Sequence, residues 1–337
     1  MPRWQDILGH QRVLTVLQRA IEHQRLHHAY LFTGPEGVGK ATVARLLTMT
    51  LNCLNRPDQG FQPACGECSA CRRIAAEQHP DFLVPEVGRT IKIDAIRAVQ
   101  KASISAPYEA RLRVVLIDDA HLMTEEAANA LLKTLEEPPD RMLLLLVTDQ
   151  PHRLLDTILS RCQRLRFGRL PTELVAAALP DLWEGAPSEL LQVAAGYGEG
   201  SLGRSLSVLD SGILEARREI LSTLVTLSDG SPKDWIDEAA ALGDSSGHLG
   251  ERLDVLLVFF RDVLLTRNGL PERVVNKDLQ DLVDGAAQRF STDATLALLD
   301  AIMLARRRLD GYVNSVLLAE DLVDRLRSPD HRALAPV

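Results

Sequence analysis

Aromatic residues make up only 4% of these 337 residues, so flat surfaces on which the bases of a single strand could stack are scarce. Positive charge is not in excess either. The 38 Lys and Arg are outnumbered by 46 Asp and Glu, for a formal net charge of -8. A surface built throughout to neutralise phosphates is thereby excluded, and only a local basic patch stays open. Long apolar runs are also missing. The most apolar stretch, Val255 to Phe260, is closed by Arg261 and Asp262, far short of the roughly 20 residues that span a bilayer. The opening MPRWQDILGHQ has no apolar secretory core, so the expected location is the cytoplasm, away from any membrane. Five cysteines, an odd number without an export signal, argue against a disulfide framework and for metal binding or free thiols. No repeat of fixed period and no low-complexity tail is visible.

Apolar runs of strand length alternate with helical patterns through the first half: AYLFT (29–33), DFLVP (81–85), VVLI (114–117) and MLLLLVT (142–148). Continuous runs of this kind suit parallel strands buried on both faces. After Thr124, the acidic pair Glu125 and Glu126 favours a helix start, Leu131, Leu132 and Leu135 mark its apolar face, and Pro138 and Pro139 end it. Beyond about residue 168 the strand signals vanish. Leu- and Ala-rich helical segments follow, and DSG at 210–212 marks a boundary within them. The fold class expected is α/β followed by all-α, with domains at 1–168, 169–211 and 212–337.

The stretch GPEGVGKAT (34–42) follows AYLFT and opens a helix, as a phosphate-binding loop does. Gly34, Gly37, Gly39 and Lys40 provide an anion nest and a positive charge. The alternative is a glycine-rich turn without a ligand. Ala41 stands where such loops carry the Ser or Thr that holds Mg²⁺. Thr42 is rotated by about 100° from that position, so its hydroxyl points elsewhere, an α phosphate being one target. Further along, VVLI runs into Asp118 and Asp119, either a metal-assisting acidic motif or solvated carboxylates at a strand end.

CGECSAC places Cys65, Cys68 and Cys71 at a double C-x-x-C spacing, with Cys53 upstream. Four thiolates suit structural zinc, with reduced cysteines or redox chemistry as the competing readings. Cys162 lies outside this group, in LSRCQRLRF. Its neighbour Arg161 belongs to a basic cluster with Arg164, Arg166 and Arg169, whose targets could be DNA, a neighbouring chain's phosphate or solvent.

Several of these stretches together resemble a known family. LGHQRVLTVLQRAI, HHAYLFTGPEGVGKAT, NALLKTLEEPP (129–139), ILSRCQRLRF and the four-cysteine insert are similar to the AAA+ clamp loader subunits of bacterial DNA polymerase III, the delta prime type above all. The motifs cover about residues 4–211, and the rest matches by helical pattern and length.

The resemblance implies an AAA+ P-loop domain with a zinc module at 53–71, a small helical lid and a C-terminal helical collar. It implies Arg161 as an arginine finger acting on ATP held by a neighbour, and Thr148 and Arg204 as sensor positions. With these, the implied nucleotide site is Gly34, Gly37, Gly39, Lys40, Thr42, Asp118, Asp119, Thr148 and Arg204. Its partners would be gamma/tau and delta subunits in a five-subunit ring, the sliding clamp, and primed DNA reached through the assembled complex of a DNA-directed DNA polymerase.

The motor members of that family place Glu where Asp119 stands. Asp is shorter by about 1.5 Å, and a misplacement near 1 Å costs on the order of 10²-fold in rate. Ala41 and Asp119 therefore point to a subunit that does not hydrolyse ATP, with ATP/Mg²⁺ binding left open. The competing readings are an active gamma/tau-type ATPase, also disfavoured by the lack of a long extension after Val337, and a zinc-dependent nucleic-acid module, disfavoured by acidity and few aromatics.

Overall fold

The computed structural model describes residues 3–226, 249–309 and 314–327. Residues 227–248, 310–313 and 328–337 of the expected C-terminal domain lie outside the described residues. Two compact units are present: residues 1–174 with 200–203, and residues 175–199 with 204–337.

The first unit is built on a parallel five-stranded sheet in the order β2-β3-β4-β1-β5. Its strands are β1 (Ala29–Thr33), β2 (Phe82–Leu83), β3 (Arg113–Ile117), β4 (Met142–Thr148) and β5 (Gln163–Arg166). The continuous apolar runs follow from helices on both faces. Tyr30, Phe32, Val114, Leu116, Leu143 and Leu145 pack with α1 (Gln11–Glu22) and α2 (Lys40–Asn52). The alternate residues Ala29, Leu31, Val115, Ile117, Leu144 and Leu146 pack with α4 (Ile93–Ser103), α5 (Glu125–Glu136) and α6 (Asp156–Arg161), while the short α3 (Ser69–Ala75) sits in the cysteine insert. Because successive side chains point to opposite faces, a strand covered on both sides is apolar at nearly every position, polar side chains being kept to its ends.

The expected helix after Thr124 is α5. The Thr124 hydroxyl caps it by accepting from the Ala127 N–H. Strand β5 is not signalled in the sequence. QRLR buries only Leu165 and exposes Gln163, Arg164 and Arg166, as a charged edge strand does.

A buried ion pair fastens the chain between α4 and β3. Asp81 accepts N–H bonds from Tyr108, Glu109 and Ala110 at 2.8 to 2.9 Å and pairs with Arg113 at 2.8 Å. Arg113 in turn donates to the carbonyls of Ala102, Ser105 and Ala106. One carboxylate and one guanidinium thus satisfy both legs of a loop that no ladder reaches.

The second unit is helical throughout its described residues, including α7 (Thr172–Leu182) and α9 (Leu202–Asp210), whose first residues belong to the first unit, α8 (Ser188–Gly198) and α10 (Ile213–Thr226). The long helix at Leu249–Arg267 carries the fully buried Asp262. Asp262 accepts from the N–H groups of Val275 and Asn276 and from Asn276 Nδ2, and Tyr197 donates to Asn276 Oδ1 at 2.9 Å. No helix among the described residues is long and apolar enough to cross a membrane.

Candidate functional site

The glycine-rich loop and Asp118 follow β1 and β3, and Thr148 closes β4 between them, so all three lie at the carboxyl ends of adjacent strands, where open α/β sheets bind ligands. The loop has the backbone its glycines permit. Gly37 and Gly39 take φ values of 69° and 100°, and Gly39 immediately precedes α2. At Gly34, φ is 148° and a Cβ would come within 2.2 Å of the Phe167 carbonyl oxygen, so glycine is required there.

Lys40 does not reach outward. Its Nζ donates to the carbonyls of Gly34 at 2.7 Å and Pro35 at 2.6 Å. Burial pulls the ammonium below its ordinary pKa, and negative charge on Asp149, Asp118, Asp119 and Glu36 opposes that pull. The Gly37 carbonyl is also engaged, accepting the Gly203 N–H at 2.9 Å. Gly203 lies so near that a Cβ on it would meet the Gly37 Cα at 2.9 Å.

Asp118 is partly buried and Asp119 exposed. Burial raises the Asp118 pKa and the neighbouring Asp119 adds to the rise, while the Asp119 N–H, Arg45 and Lys40 oppose it. Thr148 is fully buried, and its hydroxyl lies 3.1 Å from His121 Nδ1 and accepts from the Gln150 N–H. Ala41 brings no hydroxyl to this cradle, and Thr42 is half-buried on α2. The side chains here lack the hydroxyl ligand that an Mg²⁺-nucleotide complex takes from such a loop.

Arg161 ends α6 and reaches Glu136 at 2.7 Å, with further bonds to the Thr157 carbonyl and the Ser160 hydroxyl. Two sequence signatures therefore touch, since Glu136 belongs to NALLKTLEEPP and Arg161 to the Ser-Arg-Cys stretch. Cys162 packs into the core beneath, where burial pushes its thiol up to about 12 and leaves it inert. Arg164 donates to the Thr33 hydroxyl at 3.2 Å. In the second unit, Arg204 pairs with Asp254 at 3.2 Å and Glu199 at 3.8 Å.

Cys53, Cys65, Cys68 and Cys71 converge, with all four sulfurs within 4.8 Å of one another. Cys53 and Cys65 sulfurs are 3.6 Å apart, close to the roughly 3.8 Å edge of a tetrahedron with 2.3 Å metal–sulfur bonds. Backbone N–H groups of Cys65, Cys68 and Cys71 point at the sulfurs of Cys53, Cys65 and Cys68 respectively. Such bonds from Cys68 and Glu67 hold the Cys65 thiol down at about 6, whereas burial raises Cys53 and Cys71. The donor set fits a metal ion with no open position.

Sequence reasoning passed over His121, Asp149, Glu136 and the Asp81–Arg113 pair. The first two share only a position just beyond neighbouring strand ends, a relation that strand order alone creates.

The sequence is similar to subunits of DNA polymerase III. Residues 9–171 match the family described as DNA polymerase III, delta subunit, and residues 211–327 match DNA polymerase III, delta subunit, C terminal. DNA polymerase III subunit tau of Bacillus subtilis is 25% identical over 99% of this chain, which spans 63% of tau's length. A solved gamma subunit-related protein of Thermotoga maritima aligns with 94% of this chain and 98% of its own, at 20% identity and a TM-score of 0.43. The delta' subunit of DNA polymerase III from Bacillus subtilis is 34% identical over 93% of this chain and 94% of its own length. With near-complete coverage of both sequences at that identity, the chain belongs to the delta' family of DNA polymerase III subunits.

Proposed function

We propose that this chain is the delta' stator of a clamp loader: an AAA+ subunit that does not hydrolyse ATP, helps place the sliding clamp on primed DNA, and offers Arg161 to ATP held by a neighbouring gamma/tau subunit. The carrying observation is Lys40, whose ammonium is held by the loop's own Gly34 and Pro35 carbonyls beside a position, Ala41, that has no hydroxyl. Nucleotide binding at Gly34, Gly37, Gly39, Lys40, Thr42, Asp118, Asp119 and Thr148 would require Lys40 to exchange those carbonyls for phosphate. In this reading residues 169–211 act as the lid and 212–337 as the collar that joins gamma/tau and delta subunits in the ring. The gamma/tau-type motor is the second reading, and Ala41 and Asp119 count against it.

Steady-state ATPase assays with DNA and clamp test the proposal. The isolated chain is expected to show no turnover, and the complex reconstituted with gamma/tau and delta is expected to be active. Turnover by the isolated chain that disappears in Lys40→Ala would identify a motor instead.

We assign the four-cysteine site to structural zinc. Chelation is expected to release one zinc per chain and to open the 53–71 segment to proteolysis, with some loss of thermal stability because Cys53 and Cys71 belong to the core cluster on one face of the sheet. Elemental analysis beside limited proteolysis checks this. A chain that holds no zinc, or whose cleavage pattern ignores chelation, would contradict the assignment.

A further inference from the structure

Among the described residues, a second group besides the cysteines brings three ligating side chains within 4.8 Å of one another: Asp119, His121 and Asp149. We propose that this group binds a divalent transition-metal ion, zinc or one of similar chemistry, at the carboxyl ends of β3 and β4. The site is separate from the thiolates and does not depend on nucleotide.

The donors come from two neighbouring strand ends and not from one acidic run. His121 is enclosed, its side chain 8% exposed, with Nδ1 at 3.4 Å from Asp149 Oδ1 and 3.1 Å from the Thr148 hydroxyl. Gln150 Nε2 lies 3.4 Å from His121 Nε2. With Nε2 on the ion, Nδ1–H can donate to the Thr148 hydroxyl, the outer bond that fixes a ligating imidazole.

Asp149 supplies a second sign. Its Oδ1 is buried and, apart from the 3.4 Å approach of His121 Nδ1, receives no hydrogen bond, an arrangement that native interiors avoid unless something else satisfies the oxygen. Lys40 is near enough for the negative charge of Asp149 to be felt, but its hydrogen bonds go to the Gly34 and Pro35 carbonyls. A cation coordinated by Asp149, His121 and Asp119 would satisfy that oxygen. Metal–nitrogen and metal–oxygen bonds of about 2.0–2.2 Å need only small side-chain rotations from the present spacing. One imidazole with two carboxylates favours a transition ion over Mg²⁺ or Ca²⁺, which prefer oxygen alone.

The test is calorimetric titration of Zn²⁺ into the full chain whose cysteine cluster is already zinc-loaded, without nucleotide or partner subunits. One further equivalent is expected to bind, and His121→Ala or Asp149→Asn should each weaken it by about tenfold or more. Asp119→Asn, at an exposed position, serves if either of those variants fails to fold, and should weaken binding in the same sense. Co²⁺ taken up at this site should give weak visible bands without sulfur-to-cobalt charge transfer. The proposal is overturned by absence of a further equivalent, by binding that survives the substitutions, or by cobalt uptake with thiolate intensity alone. Because no ATPase is measured, these outcomes are independent of whether the chain is a clamp loader stator.

Discussion

Arg161→Ala in the reconstituted clamp loader is expected to lower ATP turnover at the adjoining neighbour's site by on the order of 10³-fold, the lower end of what a finger supplied in trans contributes in GTPases. The side chain sits at the end of a short helix whose next residue, Cys162, is anchored in the core, so its base is fixed while its head is partly exposed. Its present partner, Glu136, is itself about half exposed. Exposed pairs of this kind contribute roughly 0–1 kcal/mol, so exchanging the carboxylate for a phosphate costs little.

The same small value predicts that Arg161→Ala leaves the melting temperature of the isolated chain nearly unchanged, which separates a kinetic role from a structural one. Glu136→Gln is the companion variant: it frees the guanidinium and should preserve turnover. If single-turnover measurements on the complex find the neighbouring site unaffected by Arg161→Ala, the finger assignment fails.

Asp81→Ala is expected to destabilise the first unit by about 3–5 kcal/mol, the usual cost of leaving one member of a buried ion pair without its partner. Arg113 would remain 6% exposed, and the N–H groups of Tyr108, Glu109 and Ala110 would lose their acceptor. The carboxyl also imposes a pH dependence. Burial alone would raise its pKa, but hydrogen bonds from Glu109, Ala110 and Tyr108 and the Arg113 guanidinium outweigh burial and hold it at about 2.

An unfolded aspartate titrates near 3.9. The folded state therefore binds the proton less readily, the stabilisation is complete above the unfolded value, and it is lost as pH falls from about 4 towards 2. Urea midpoints measured across that range should fall in the natural sequence and fall less in Asp81→Asn. Equal slopes for the two proteins would mean that Asp81 does not carry the acid sensitivity.

The sequence alone determined the elements whose signals are local. Every position of AYLFT, VVLI and MLLLLVT but the closing Thr33 and Thr148 is apolar because both faces of those strands are covered, and that pattern is visible without a structure. The loop glycines, Lys40 at the start of α2 and the C-x-x-C-x-x-C run are likewise legible, since their chemistry depends on spacing along the chain. Ala41 and Asp119 could be recognised as departures by comparing single positions.

Only the tertiary structure decided the rest. Strand β5 has one buried residue in four and gains its identity from pairing with β1. The retracted Lys40 depends on carbonyls that become acceptors only once the loop is bent. The Arg161–Glu136 contact spans 25 residues, and the Asp81–Arg113 pair spans 32. Asp119, His121 and Asp149 meet because β3 and β4 are neighbours in the sheet. Strand order is set by the packing of the whole core, so side chains that converge across strand ends leave no periodic trace in the residues themselves.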